Sequence, residues 1–313
     1  MAIWIFFCNF AADLKNLIAH ITAQLQAAYP ADEAEALAWW IAEELSGKSR
    51  TELQFGYKST TNFPHLQIGE PFLAQIISRL LHFEPVQYIF GHTVWNGLDL
   101  KVTPATLIPR PETAELVDRI NEKMGKCENG KMRKLLDIGT GSGCIAIALK
   151  KRHPEWNVTG IDISPEAIEV AKENALRNNT EVNFRVADIF SDELIEHHQH
   201  DIVVSNPPYI CEKEKKDMRP NVLNHEPHSA LFVPDDDPLK FYRRIAALFS
   251  HTPSPVTRNP SPVTHTPSLL FFEINEAYAS EIAAMLDGMG YTDIQITKDI
   301  YGKDRIIEGR MAK

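Results

Sequence analysis

The sequence predicts an α/β protein in which a mostly parallel β-sheet is covered by helices on both faces. From Lys134 onward, short apolar runs typical of buried strands alternate with segments of helical spacing. Strands are expected at 134–138, 157–162, 182–187, 201–205 and 269–274, with a final pair near 292–297 and 304–309. Helices are expected at 143–152, 165–178, 238–250 and 276–289. Two of the strands end in residues that carry chemistry, a glycine run after the first and Asn-Pro-Pro-Tyr after the fourth.

The region before residue 85 has the apolar spacing of helices rather than strands. A first helix is predicted from Leu14 to Leu25, and a second resumes after Pro30 and stops at Ser46-Gly47. A third, opened by Pro71, carries an apolar stripe made of Phe72, Leu73, Ile76, Ile77, Leu80 and Leu81. We expect residues 1–84 to form a small helical bundle.

Residues 85–111 are predicted to link this bundle to the larger domain. Tyr88–His92 and Val94–Val102 have the alternation of a β-hairpin. Ile108–Thr113 follows as a rigid proline turn, placed before a helix that opens at Leu116. Residues 112–313 are expected to form the α/β domain, with the Pro/Ser repeat at 251–268 as a mobile, extended loop.

Composition narrows the classes of function. The chain has 313 residues, 44% of them hydrophobic, and a formal net charge of −10, which disfavours a long groove for duplex DNA. Its four cysteines are scattered without CxxC spacing, so neither a metal site nor a disulfide framework is predicted. The apolar segment at 3–8 is too short to cross a bilayer. We expect a cytoplasmic monomer that does not associate with membranes.

The first strand end is predicted to bind a nucleotide-like cofactor. Gly139, Gly141 and Gly143 lie between a strand and a helix, so a ligand can approach the backbone without meeting a side chain. Asp162 ends the next strand, where a carboxylate accepts hydrogen bonds from ribose hydroxyls, and Asp188 ends the third, where an adenine amine could donate. NAD and S-adenosyl-L-methionine both fit these features, although the five-residue glycine loop suits the cofactor that lacks a pyrophosphate.

The Asn206–Tyr209 tetrad favours the second cofactor. An amide nitrogen is a poor nucleophile, so an enzyme that methylates it must hold both N–H bonds and accept the charge that develops on nitrogen. The Asn206 side-chain oxygen and the Pro207 carbonyl can each accept one N–H. Pro207 and Pro208 make the turn rigid, and Tyr209 can pack on the flat target group.

Together these motifs resemble the protein-glutamine methyltransferases of the HemK/PrmC type, which methylate the glutamine of the Gly-Gly-Gln motif in class I peptide chain release factors. The resemblance covers nearly the whole chain, and its most specific segment is Ile108–Thr113. The other segments that carry it are 85–89, 107, 137–143, 205–210, Glu226-Pro227, Ala230-Leu231, 241–245 and 302–305.

This resemblance implies a Rossmann-like class I S-adenosylmethionine-dependent methyltransferase domain with a seven-stranded sheet, a linking hairpin and an N-terminal substrate-docking bundle. It implies that Asn206 to Tyr209 hold the substrate glutamine, with Asn206 and Pro207 as catalytic residues. It implies cofactor contacts from Gly139, Thr140, Gly141, Ser142, Gly143, Asp162, Asp188, Ile189 and Asn206. Two departures are visible: Ile189 stands where some members carry Trp, and the 251–268 repeat replaces a short Gly-rich turn.

Two other functions share part of the pattern. A nucleic acid adenine or cytosine amino-methyltransferase would use the same Asn-Pro-Pro-Tyr tetrad, but it would have to bind phosphates, against the charge of −10. A non-catalytic cofactor-binding scaffold would not need an intact Asn206. We therefore expect a release factor as the protein partner and no stable binding of nucleic acid.

Overall fold

The computed structural model describes residues 10–55, 70–125, 132–191, 200–249 and 269–311. These residues form two compact units. The first contains the chain up to Phe90 together with Pro220–His225, and the second contains Gly91–Arg219 and the chain from Glu226 onward. The loop predicted at 251–268 and the apolar segment at 3–8 lie outside the described residues.

The first unit is helical. Its helices are α1 (Phe10–Leu25), α2 (Ala31–Ser46), α3 (Arg50–Phe55), α4 (Glu70–Leu81), α5 (Val86–Phe90) and the one-turn helix Pro220–Leu223. The apolar residues predicted to face inward form its core: Ile21, Leu25, Ile41 and Leu80 are all buried in one cluster. Phe72, which the sequence placed on the stripe of α4, is exposed. Within the described residues, no helix is both long and apolar enough to cross a bilayer.

The β-hairpin is shifted from its predicted place. It consists of β1 (His92–Trp95) and β2 (Leu98–Lys101), whereas the predicted first arm at Tyr88–His92 falls mostly in helix α5. The prediction was wrong because it placed Asn96 and Gly97 inside a strand. Both have positive φ, 49° and 74°, and an Asn-Gly pair of this kind forms the tight turn of a two-residue hairpin.

The second unit is built on a seven-stranded sheet that confirms the predicted fold class. Its strands are β3 (Lys134–Ile138), β4 (Asn157–Asp162), β5 (Asn183–Val186), β6 (Ile202–Ser205), β9 (Leu269–Glu273), β10 (Tyr291–Lys298) and β11 (Asp304–Met311). Their order in the sheet is β10-β11-β9-β6-β3-β4-β5. The first five are parallel, and β11 and β10 continue the sheet antiparallel. A separate two-stranded sheet pairs β7 (Ile210–Cys211) with β8 (Phe232–Val233).

Helices cover this sheet and bury an apolar layer on each face. They are α6 (Pro111–Gly125), α7 (Cys144–Arg152), α8 (Pro165–Arg177), α9 (Lys240–Phe249) and α10 (Ala279–Gly288), with 3₁₀ turns at Glu212–Asp217, His228–Ala230 and Glu276–Tyr278. Consecutive residues of β3 point to opposite faces of the sheet and belong to different apolar clusters, Leu135 to one and Leu136 to the other. Helix α6 begins at Pro111 rather than near Leu116, because a proline is tolerated in the first turn of a helix.

Candidate active site

The strand register brings the predicted site residues to one edge of the sheet. Ile138, the last residue of β3, lies beside Ile161 of β4 and Ser205 of β6. Ser205 in turn lies beside Phe272 of β9. The loops that follow these parallel strands therefore leave the sheet at the same edge. The chain runs outward from β3 to β4 and β5 on one side and to β6 and β9 on the other, which is the type of crevice where α/β proteins bind ligands.

The glycine loop presents bare backbone to this crevice. Gly139 and Thr140 both donate their N–H groups to the Ile161 carbonyl at 2.9 Å, which fixes the start of the loop on β4. Gly139 and Gly141 have φ values of 70° and 53°, which favour glycine. A Cβ added at either position would meet nothing within 4 Å. The loop is therefore open to a ligand that approaches its backbone closely.

Asp162 closes the other side of the loop. Its Oδ2 accepts the N–H of Gly141 at 2.9 Å and its Oδ1 accepts the N–H of Ser164 at 3.0 Å. Ser164 caps helix α8 by accepting from the Ala167 N–H. Because a carboxylate offers about four acceptor positions, Asp162 can accept further hydrogen bonds from ligand hydroxyls.

Two buried polar residues hold the loop in shape. Burial raises the pKa of Asp137 to about 7, while the hydrogen bond that its Oδ2 accepts from Thr140 Oγ1 at 2.6 Å opposes that rise. Asn174 on α8 is fully buried and donates to the Ser142 carbonyl at 2.8 Å. The same side chain pairs with the backbone N–H and C=O of Lys101 on β2. Sequence reasoning missed Asn174, because this role depends on hairpin and helix lying together.

Asp188 and Ile189 follow β5 at the same edge. Asp188 Oδ1 accepts the Phe190 N–H at 2.9 Å, which forms a local turn. The Ile189 carbonyl accepts from Arg244 Nε at 2.6 Å, and its side chain packs on an apolar cluster of the sheet. The structure thus brings both residues to the crevice, where their contacts with a cofactor stay a prediction.

The Asn206–Tyr209 tetrad follows β6, beside the glycine loop, and hydrogen bonds connect both of its ends to Glu273. Asn206 Nδ2 donates to Thr113 Oγ1 at 3.3 Å, and Thr113 Oγ1 donates to Glu273 Oε2 at 2.7 Å. The Tyr209 hydroxyl donates to the other carboxylate oxygen, Oε1, at 3.1 Å. Asn275 Nδ2 also donates to the Tyr209 carbonyl at 3.2 Å. Side chains from α6, β9 and the segment after β9 therefore immobilise both ends of the tetrad.

Glu273 is a buried carboxyl group with few compensating charges. Burial raises the pKa of Glu273, and the Thr113 hydrogen bond, the Arg305 guanidinium and the Tyr209 hydroxyl only partly offset the rise. Burial also raises the pKa of the Tyr209 phenol, which therefore stays protonated and donates. Sequence reasoning did not single out Glu273. The available signal was the acidic residue that ends the apolar run Leu269–Phe272.

The proline turn before α6 is braced by an ion pair whose carboxylate is buried. Arg110 Nη2 lies 2.6 Å from Glu226 Oε1, and Glu226 Oε2 accepts the Ile108 N–H at 3.2 Å. The Trp95 indole donates to the Arg110 carbonyl at 2.7 Å. These contacts fix the chain that leads into Thr113, so Arg110 shapes the site through the backbone.

The chain matches two known domain families and relatives of nearly the same length. Residues 113–228 match the family described as Methyltransferase small domain, and residues 16–91 match the PrmC N-terminal domain. A protein named Release factor glutamine methyltransferase from Bacteroides thetaiotaomicron is 42% identical over 294 residues, which cover 94% of this chain and 99% of the relative. The protein of the same name from Flavobacterium psychrophilum is 38% identical over 298 residues, covering 94% of this chain and 98% of the relative.

The fold and these matches define the chain as a methyltransferase enzyme. It belongs to the family of release factor glutamine methyltransferases. Its cofactor is S-adenosyl-L-methionine, and the residues at the crevice fit that group. The glycine loop offers bare backbone, and Asp162 offers acceptors for ribose hydroxyls. The roles of individual site residues remain predictions.

Proposed function

We propose that this chain methylates the side-chain amide nitrogen of the glutamine in the Gly-Gly-Gln motif of class I peptide chain release factors. The relatives that match nearly the full length of the chain are named release factor glutamine methyltransferases, which supports a glutamine of a release factor as the substrate. The observation that carries the proposal in the structure is the orientation of Asn206. Its Nδ2 faces Thr113, so its Oδ1 lies on the opposite branch of the amide, available to accept a hydrogen bond.

Two acceptors are what an amide substrate needs at this position. The substrate nitrogen carries two N–H bonds, and its lone pair is delocalised into the carbonyl group. Asn206 Oδ1 accepts one N–H and the Pro207 carbonyl accepts the other, which orients the nitrogen and stabilises the positive charge that it gains. The rigid Pro207-Pro208 backbone keeps the two oxygens at a fixed separation. The nitrogen then loses one proton to water or a nearby acceptor.

The cofactor side of the crevice is formed by the glycine loop and the ends of β4 and β5. Bound S-adenosyl-L-methionine supplies an electrophilic methyl group. Gly139 to Gly143 would hold it through their backbone, and Asp162 would accept from its ribose hydroxyls. Asp188 and Ile189 would flank its base. Asn206 lies after the neighbouring strand β6 and would contact both cofactor and substrate.

The surface charge favours a protein substrate over a nucleic acid. The net charge of −10 opposes the phosphate contacts that an amino-methyltransferase acting on DNA or RNA needs. We therefore propose a cytoplasmic enzyme whose partner is a release factor, and we propose residues 1–84, which supply most of the helical first unit, as its docking domain. Residues 85–111 would link that domain to the methyltransferase domain at 112–313.

The test is to locate the transferred methyl group. The enzyme is incubated with labelled cofactor and either a class I release factor or the same factor with its Gly-Gly-Gln glutamine replaced by asparagine, and tandem mass spectrometry locates the label. We expect one methyl group on the glutamine and none on the variant factor. Label on added DNA or RNA, with none on the protein, would contradict the proposal.

A further inference from the structure

We propose that Glu273 is a positioning residue that fixes which side of the Asn206 amide faces the substrate. It does so through Thr113, and it holds the far end of the tetrad through Tyr209. The inference rests on the proposed function, because it assumes that Asn206 Oδ1 accepts from the target amide.

When Glu273 is ionised, its carboxylate fixes the direction of each hydrogen bond in the series Glu273–Thr113–Asn206. An ionised carboxylate can only accept, so the Thr113 hydroxyl must spend its single proton on Glu273 Oε2, 2.7 Å away. The Thr113 oxygen then has only lone pairs to offer Asn206. It can accept from Nδ2, at 3.3 Å, but it cannot donate to Oδ1. The Asn206 amide is therefore held with its oxygen turned away from Thr113.

Protonation of Glu273 would remove this constraint. A protonated carboxyl can donate to Thr113 Oγ1, which frees the Thr113 proton to donate in turn to Asn206. The amide of Asn206 would then favour the rotamer in which Oδ1 faces Thr113 and Nδ2 faces the substrate. A donor would meet the N–H of the target amide, and one of the two acceptors would be lost. The charge on Glu273 therefore selects between a competent and an incompetent clamp.

Several groups surround the Glu273 carboxyl and set its protonation. Burial raises its pKa, Arg305 on β11 lowers it, and Glu112 on α6 raises it. The other polar or titratable neighbours are Thr113 and Tyr209 at the carboxylate, Tyr242 of α9 at the backbone carbonyl, and Cys144 at the start of α7. Since activity requires the ionised form, turnover is present above the pKa of Glu273. It is lost as the pH falls through that value, which lies above the roughly 4.3 of a free glutamic acid.

Two substitutions of Thr113 test the hydrogen-bond series from Glu273 to Asn206 without changing the carboxylate. Thr113→Val keeps the shape of the side chain but removes the hydroxyl, and Thr113→Ser keeps the hydroxyl. We expect kcat to fall by about 10- to 100-fold in Thr113→Val, because the clamp loses its fixed orientation. Thr113→Ser should stay within about threefold of the wild type, and KM for the cofactor should be similar in both. Equal kcat values for Thr113→Val and the wild type would overturn the proposal.

Glu273→Gln tests the charge, with Glu308→Gln as its matched control. Glu308 is also a buried carboxyl on the neighbouring strand β11, but it pairs with Arg119 and Lys123. We expect Glu273→Gln to lower kcat by about 10- to 100-fold and to abolish the acidic limb of the pH profile. Glu308→Gln should lower stability and leave that limb in place. An acidic limb unchanged in both Glu273→Gln and Thr113→Val would show that Glu273 has only a structural role.

A readout without turnover separates this inference from the proposed function. The side-chain NH₂ resonances of Asn206, followed by ¹⁵N NMR of the full chain, should shift in Thr113→Val and stay close to wild type in Thr113→Ser. If these shifts occur but the wild type does not methylate glutamine, the hydrogen-bond chain stands and the proposed function fails. If the wild type methylates glutamine while resonances and kcat are unchanged in Thr113→Val, the inference fails and the proposed function stands.

Discussion

Gly160 lies where an added methyl group has no room. Phe184 of β5 pairs directly with Gly160 of β4, and its ring covers the glycine. A Cβ at Gly160 would lie 2.5 and 2.6 Å from two ring carbons of Phe184 and 2.9 Å from Thr140 Oγ1, whereas ordinary contact begins at 3.4 Å. A Cβ added at Gly143 would also lie 3.0 Å from this ring, so the Phe184 ring packs closely on two glycines.

Gly160→Ala should therefore destabilise the second unit. Overpacking of a buried site costs about 1–3 kcal/mol. At roughly 2–4 °C per kcal/mol for a unit of this size, the Tm should fall by about 2–12 °C in thermal unfolding followed by circular dichroism. Affinity for the cofactor should fall as well, because the displaced Thr140 belongs to the glycine loop.

Two further variants make this prediction specific. Phe184→Leu removes the ring atoms in conflict, so the double variant with Gly160→Ala should be more stable than the sum of the two single effects by about 1 kcal/mol. Gly288→Ala, at the end of α10 where a Cβ meets nothing within 4 Å, should leave the Tm unchanged or raise it. If Gly160→Ala melts within 1 °C, about the error of such a measurement, of the wild type, the packing argument is refuted.

Three other substitutions address the site. Asn206→Ala should lower kcat at least about 100-fold while the Kd of S-adenosylhomocysteine, measured by calorimetry, changes less than about threefold. Equal losses in kcat and affinity would argue against a role in the methyl-transfer step. Asp162→Ala should weaken that Kd by about 10- to 100-fold, because the Gly141 N–H loses its partner and the ribose loses an acceptor. An unchanged Kd would remove Asp162 from the cofactor site. The pKa of Asp137, raised by burial to about 7, lies above its unfolded value, so stability should fall as the pH rises from about 4 to 7. Asp137→Asn should flatten this slope in urea midpoints, and an unchanged slope would contradict the assignment.

Local pattern was sufficient for the framework of the molecule. The strand that ends at Ile138 and the strand that ends at Asp162 could both be predicted, because each is recognised from the apolar pattern of its own residues. The hairpin shows where that reasoning fails. The alternation from Val94 to Val102 resembled one long arm, but the positive φ of Asn96 and Gly97 turned the chain inside it.

The sequence predicted the segments that form the candidate site, but not the side chains that hold those segments in place. The glycine loop and the Asn206–Tyr209 tetrad are contiguous segments, so the sequence displays them directly. Glu273 and Thr113 act on Asn206 only because β9 pairs with β6 and α6 packs nearby, and a strand order is not written in any local segment. Their contribution therefore needed the three-dimensional arrangement.

A crystal structure of the enzyme with S-adenosylhomocysteine and a Gly-Gly-Gln peptide would test the clamp itself. We expect the glutamine side-chain nitrogen to lie about 2.7–3.2 Å from both Asn206 Oδ1 and the Pro207 carbonyl oxygen, with Asn206 Nδ2 still on Thr113. A glutamine nitrogen that contacts neither oxygen, or an Asn206 amide that presents Nδ2 to it, would contradict the mechanism.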